Sequence, residues 1–200
     1  WCFWLTDAEP SELRNLPILQ KRIEGVKEMR LSSEKASTKK WASTPTVFIE
    51  NRQPTADYLL FPSVSSELRK YIPIGYLKKD WIISNLAFAV PATNLFHFGI
   101  MTSAMHMAWV RYTCGRLKSD FRYSNTIVYN NFPWPENPSD KQVKAIEVSA
   151  QKVLDVRGEF PDSSLADLYA PLTMPPKLVK AHNELDKAVD TAYRPYPFPN

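Results

Sequence analysis

Gly115-Arg116-Leu117-Lys118-Ser119-Asp120-Phe121-Arg122-Tyr123-Ser124-Asn125 is the segment around which the chain is organised. Taken as extended backbone, it sends Lys118, Asp120 and Arg122 to one face and Ser119, Phe121 and Tyr123 to the other. One face is packing material; the other carries plus, minus, plus. Charge on a strand edge has a plain structural explanation, since it guards against edge-to-edge aggregation. The same charges also suit base edges: lysine donates to guanine O6 and N7, and aspartate accepts from cytosine N4. Residues two apart on a strand lie about 6.6 Å apart, a spacing that lets Lys118 and Asp120 address both halves of one G·C pair. Arg122 on the same face is a candidate for a neighbouring base or a phosphate.

Upstream of this stretch, residues 99–114 carry Ile100, Met101, Met105, Met107, Ala108, Trp109 and Val110 with little charge. They read as a buried helix that Gly115 ends, its methionines serving as core filler. His97 and His106 have no carboxylate or serine at a useful spacing and read as packed histidines, not acid–base groups. Downstream, Ile127-Val128-Tyr129 reads as a strand and Asn130 to Pro135 closes a first domain. Ser139 with Gln142 makes a capping box that opens a helix to about Arg157, with Val143, Ile146, Ala150, Val153 and Leu154 on one side. Leu165 to Tyr169 is a short helix. Pro175-Pro176 starts a last one, with Leu178, Ala181, Leu185, Ala188 and Ala192 at helical spacing. The tail Pro195-Tyr196-Pro197-Phe198-Pro199 reads as extended.

At the other end, residues 6–16 read as a short helix and 17–43 as a longer one with Pro17 in its first turn. Its outer face holds Lys21, Arg22, Lys27, Arg30, Lys35, Lys39 and Lys40. Glu24, Glu28 and Glu34 are available as ion-pair partners, yet the cations outnumber them. Residues 45–97 contain short β-type runs at Val47–Ile49, Tyr58–Phe61, Tyr71–Ile74 and Leu86–Val90, punctuated by Pro54, Pro62, Pro73 and Pro91, which mark edges or bulges. The turn Ile83-Ser84-Asn85-Leu86 precedes the last run. Asn85 is able to pair with adenine, although asparagine suits a turn for its backbone geometry alone. The expected fold class is α+β: a small irregular, mainly antiparallel sheet with flanking helices over residues 1–135, then a small C-terminal helical subdomain over 136–200.

The quoted stretch, followed by Ile127-Val128-Tyr129-Asn130-Asn131-Phe132-Pro133-Trp134-Pro135, resembles the target-recognition domain of MmeI-like type IIL restriction–modification proteins. Trp1 to Leu5, Tyr71-Ile72-Pro73-Ile74-Gly75, His97-Phe98-Gly99, Met105-His106-Met107-Ala108-Trp109 and Asp167-Leu168-Tyr169 to Pro176 extend the resemblance over essentially the whole chain. It implies a larger bacterial chain in which a nuclease, a helical spacer and an N6-adenine methyltransferase come first. S-adenosylmethionine and Mg²⁺ would belong to those upstream parts, with no cofactor here. The implied partners are double-stranded DNA and the upstream methyltransferase domain. In that family the positions matching Lys118 and Asp120 vary as a pair that tracks one base, the Lys/Asp version going with G, and residues near Asn85 share in base reading.

Composition bounds these readings. Two hundred residues, 44% of them hydrophobic, are enough to bury a core. Two cysteines, Cys2 and Cys114, without paired Cys/His spacing argue for a reducing cytoplasm and against a structural zinc. No signal peptide is visible, and no apolar run approaches the roughly 18 residues of a membrane span. Because the chain opens on Trp1, it is expected to be a piece of a longer one. Residues 1–135 hold 17 Lys and Arg against 11 Asp and Glu, while residues 136–200 hold 8 against 10. The basic excess thus falls where phosphate contacts are expected, with Arg111, Arg116, Lys39 and Lys40 as candidates. For each arginine a surface ion pair or a snorkelling side chain is the alternative.

Asn131-Phe132-Pro133-Trp134 departs from the Asn-Pro-Pro-aromatic motif of adenine methyltransferases, because Phe132 occupies a proline position. Phe96-His97-Phe98-Gly99 lacks a second glycine, and only five glycines occur in the chain, so no glycine-rich cradle for a nucleoside or phosphate is present. The resemblance implies recognition without catalysis, and these missing motifs agree with it. Two other classes stay open on sequence: a basic protein-interaction module without nucleic-acid function, and a degenerate methyltransferase half that binds cofactor.

Overall fold

The structure, a computed structural model, describes residues 2–91, 93–196 and 198. The chain divides into two compact units, Trp1–Arg52 and Gln53–Asn200.

The first unit is helical. It consists of α1 (Pro10–Arg14), α2 (Pro17–Ser32) and α3 (Ala36–Lys39), the last running into a 3₁₀ turn over Lys40–Ser43. Pro10 and Pro17 stand in first turns, where a missing N–H costs nothing. The helix expected over 17–43 breaks at Ser33, whose backbone is extended and whose hydroxyl takes the N–H of Lys35, an option that serine offers in competition with the helix. Arg30 is not on the outer basic face. It is buried and donates to three carbonyls, Trp41 at 2.8 Å, Thr44 at 2.8 Å and Val47 at 2.7 Å. That clamp, with Trp4 stacked on Phe48 at 5.5 Å, explains why Val47–Ile49 is not the strand its composition suggests: the chain turns at Thr44–Val47 to bring its carbonyls to one guanidinium.

The second unit is mixed α+β. One antiparallel sheet has the order β3-β1-β4, from β1 (Tyr58–Pro62), β3 (Gly75–Leu77) and β4 (Ala87–Pro91), with Leu59 opposite both Tyr76 and Val90. The other has the order β2-β6-β5, from β2 (Val64–Ser65), β5 (Gly115–Leu117) and β6 (Asp120–Arg122). Tyr71–Ile74 is buried but is not a strand; Pro73 interrupts it and the Ile74 N–H closes on the Ile72 carbonyl at 2.8 Å. Two helices replace the expected one at 99–114. They are α4 (Leu95–Met101), capped by Asn94, and α5 (Ala104–Thr113), capped by Ser103. The chain leaves α5 through Cys114 in extended conformation, so Gly115 is the first residue of β5 and not a left-handed cap. Ile127–Tyr129 lies in a wide helical turn, Asn125–Tyr129, closed by the Asn130 N–H on the Asn125 carbonyl at 2.9 Å.

The C-terminal part supplies α6 (Asp140–Gly158), opened by the expected Ser139–Gln142 capping box, then α7 (Leu165–Leu168) and α8 (Pro176–Tyr193). Of the expected extended tail, Pro197 and Pro199 lie outside the described residues. The core runs without interruption from Leu59 on β1 through Phe98, Met107 and Phe121 to Ile146, Leu185 and Ala192, passing directly across residues 135/136.

A buried polar network binds these layers. Arg157 donates to Tyr169 Oη from Nε (2.9 Å) and Nη2, to the Ile74 carbonyl (2.8 Å) and to Thr102 Oγ1 (3.4 Å). With its oxygen taking two arginine protons, Tyr169 gives its own proton to His182 Nε2 at 2.6 Å, which makes that imidazole nitrogen an acceptor. Tyr71 stacks on His182 at 4.0 Å and donates to Asp186 Oδ2 at 2.7 Å, while Ala104 N–H donates to Asp186 Oδ1 at 2.8 Å.

Two expectations follow. A Cβ on Gly99 would stand 2.6 Å from Ile146 Cγ2 and 3.2 Å from Ala150 Cβ, so α4 meets α6 at that glycine. Gly99→Ala is expected to lower stability by about 1–3 kcal/mol through overpacking, and Gly25→Ala, which meets nothing within 4 Å, to raise it by about 0.5–1 kcal/mol, both read from denaturant midpoints. Burial holds His106 down to about 4 and His182 well below the usual imidazole value. Below pH ~6.5 the unfolded chain therefore takes up protons that the fold refuses, and stability present above that pH is lost as pH falls, by up to about 1.4 kcal/mol per pH unit per histidine. Asp186, raised by burial, opposes this below its own raised value. Urea midpoints between pH 7 and 5 should show the decline, with a shallower slope in His182→Gln, where His106 and the less buried His97, also lowered by burial, still contribute.

Candidate nucleic-acid interface

The decisive stretch is a hairpin and not one strand. β5 and β6 pair antiparallel with Gly115 opposite Arg122, Arg116 opposite Phe121 and Leu117 opposite Asp120. Lys118 and Ser119 form the two-residue connection, and Lys118 has φ 56°, the positive value that tight hairpin turns require at their first position. Lys118 and Asp120 therefore do not share a strand face. The lysine stands at the tip, and the aspartate begins the return strand.

Along β6 the alternation holds. Phe121 is buried in the core, while Asp120 is half-buried and Arg122 exposed. Arg122 has Gly115 on one flank and Val64 on the other, so no side chain on β5 covers it. Among the described residues, neither Lys118 nor Arg122 has an acceptor within the protein. Asp120 Oδ1 accepts from the Glu67 N–H at 3.4 Å, and its other oxygen is uncommitted among the described residues. Behind β6, Tyr123 is buried with its hydroxyl 2.9 Å from His106 Nε2, and Trp109 Nε1 donates to the Val128 carbonyl at 2.9 Å. These contacts seat the hairpin on α5.

Ser63 links the hairpin to the turn that carries Asn85. Its carbonyl accepts the Tyr123 N–H at 2.9 Å, and its N–H (3.0 Å) and Oγ (2.7 Å) both donate to the Leu86 carbonyl. Asn85 is exposed in that turn, so it and Arg122 flank one junction. Arg111 is exposed in the last turn of α5. Lys39 and Lys40 are exposed in the other unit, at the end of α3 and the start of the following turn.

Arg116 makes a surface ion pair, the alternative that its sequence reading set beside a phosphate contact. Its Nη1 donates to the Ser119 carbonyl at 2.9 Å and lies 3.5 Å from Glu67 Oε2, and its guanidinium carbon sits 4.0 Å from the centre of the Phe121 ring. An exposed ion pair of this type contributes only about 0–1 kcal/mol, so its effect is local, on the turn.

A family described as "MmeI, target recognition domain" matches residues 1–136, and one described as "MmeI, C-terminal domain" matches residues 138–199. The chain belongs to the MmeI family. DNA methyltransferase A of Bacillus subtilis (strain 168) is 41% identical over 194 residues, which is 97% of this chain and 22% of that protein. A structure of the type IIL restriction–modification enzyme MmeI in complex with DNA matches with a TM-score of 0.91 at 47% identity, covering 100% of this chain and 26% of that one. The chain thus spans about a quarter of the length of these MmeI-family relatives.

Within the MmeI-family chain, sequence reasoning missed Glu67 and Ser63. Nothing local marks either: Glu67 reaches Asp120 across 53 residues of sequence. Arg157 and His182 were also missed, although His182 falls in the apolar stripe Leu178, Ala181, Leu185 and Val189 of α8, a detectable anomaly. The described residues contain no group of three His, Cys, Asp or Glu placed to hold a metal ion, and no glycine with positive φ. Among the described residues no helix is long and apolar enough to cross a membrane.

The left-handed backbone at Lys118 makes a stability prediction. Lys118→Asn is expected to leave the thermal midpoint unchanged or higher. Lys118→Val, β-branched at positive φ, should lower stability by about 1–2 kcal/mol. Equal effects from both in calorimetry would mean that the turn has another geometry.

Proposed function

We propose that this chain is the sequence-specific double-stranded DNA recognition module of a larger restriction–modification protein, reading base edges in the major groove. One observation carries the reading: the likeness over the whole chain to an MmeI structure that contains DNA, together with a hairpin that leaves its chemistry-bearing side chains outward. A hairpin is narrow enough for a major groove about 12 Å wide. Lys118 at the tip donates to guanine, and Asp120 accepts from cytosine. Arg122 and Asn85, flanking the Ser63 junction, contact adjacent bases. Arg111, Lys39 and Lys40 contact phosphates.

On this reading the chain itself carries no catalytic residue. It positions an upstream adenine methyltransferase and an endonuclease of the same protein, working in the cytoplasm on intracellular DNA. On the same reading the larger protein uses S-adenosylmethionine and Mg²⁺. Both groups belong to the upstream parts.

The test is selection from random duplex DNA by the full-length protein at moderate salt. A short motif with a fixed G·C pair is expected. The double variant Lys118→Asp/Asp120→Lys should change preference at that position alone, by the roughly 1–3 kcal/mol of a bidentate base contact. Equal loss at every position would make the pair structural and remove it from recognition.

A further inference from the structure

We propose that Glu67 and Arg116 are positioning residues for the recognition hairpin, setting base selectivity without touching DNA. The proposal rests on the reading of 118–122 as base-contacting and goes beyond it by naming what aims those side chains.

The hairpin tip needs an aiming device. Its first turn residue is in the left-handed region, and only three residues pair on each side. Arg116 supplies support from behind. As the cross-strand partner of Phe121, it lies on the face opposite Asp120 and Arg122. Its guanidinium lies against the buried Phe121 ring at 4.0 Å and donates to the Ser119 carbonyl at 2.9 Å, fixing the turn from which Lys118 projects. Glu67 supplies support from the side. Its carboxylate lies 3.5 Å from Arg116 Nη1, and its backbone N–H donates to Asp120 Oδ1 at 3.4 Å. One oxygen of Asp120 is therefore held, and the other has no partner among the described residues.

The turn that carries Glu67 is itself anchored. Arg69 N–H closes on the Ser66 carbonyl at 3.2 Å, and its side chain donates to Ser65 Oγ at 3.5 Å and to the Ala166 carbonyl of α7 at 3.4 Å. A line of contacts thus runs from α7 through the 66–69 turn to the carboxylate of Asp120. Without it Lys118 and Asp120 keep their charges but lose their fixed direction. Selectivity depends on direction, while affinity for phosphate-rich DNA depends mostly on charge.

The experiment uses the full-length protein, random-duplex selection and a salt titration on the preferred site. It compares Arg116→Gln, Arg116→Lys and Glu67→Ala with the Lys118→Asp/Asp120→Lys double variant. Arg116→Gln should reduce discrimination about tenfold, and Glu67→Ala about threefold, at the one position that the double variant changes, with affinity for random DNA and the salt slope unchanged. Arg116→Lys keeps the charge without the planar fork and should not rescue selectivity. Uniform weakening across sequences, a salt slope reduced by about one and rescue by Arg116→Lys would make Arg116 a phosphate contact and overturn the proposal. Glu67→Ala removes no buried group, so it carries the test even where Arg116→Gln unfolds the sheet, and unchanged selectivity in it overturns the clamp. A double variant that changes one position while the clamp variants change none defeats the clamp alone. A double variant that changes no position defeats the recognition reading and the clamp with it.

Discussion

The buried guanidinium of Arg157 is the constraint on which the second unit depends. Among the described residues, no carboxylate pairs with it. Its charge is met by the Ile74 carbonyl, Thr102 Oγ1 and Tyr169 Oη, with the rings of Phe98 and Tyr169 at 5.1 and 4.9 Å. Hydrogen bonds to a charged group are worth more than neutral ones, and a buried charge left without them is costly. Every partner comes from a different part of the chain: the approach to β3, the break between α4 and α5, and the end of α7. Satisfying one side chain therefore fixes three segments at once, and the His182–Tyr71–Asp186 relay adds α8 and α5.

On that frame, a rim is assembled from pieces that have little in common in sequence. Ser63 sits where β1 passes from one sheet to the other, and its three hydrogen bonds bring the Asn85 turn and β6 together. The interior face of β6 is closed by Phe121 and Tyr123 and the outer face is left polar. Rigid packing behind and uncommitted side chains in front is the arrangement a reader of surfaces needs, because the geometry is then set by the core and the chemistry by a few exposed groups.

What was legible in the sequence follows from how local each signal is. The Ser139–Gln142 box and the apolar stripe of α8 lie within a few residues, and both elements stand where the pattern puts them. The charged positions of the hairpin were also visible, but their geometry was not. Alternation counts residues along one strand, and a two-residue turn without glycine or asparagine looks like more strand, so Lys118 was assigned to a face that it leaves. Ile127–Tyr129 shows the same limit, since three apolar residues suit a strand or a wide turn equally and length alone arbitrates. Arg30 was read as an outward cation because its three acceptors lie 11 to 17 residues downstream. It nonetheless continues the spacing of Ile23 and Val26, and a long cation at an apolar position is a cue to look for carbonyls.

The unbroken core across residues 135/136 bears on how such modules are exchanged between proteins. Ile146, Ala150 and Leu185 meet the backbone of α4 at Gly99, while Arg157 reaches Ile74 ahead of β3. A recombination junction placed at 135/136 would part side chains that were fitted to each other and pair each half with a stranger's. Junctions outside Gln53–Asn200 would carry the rim and its supporting helices as one heritable piece, so new specificities travel most cheaply with their scaffolding attached.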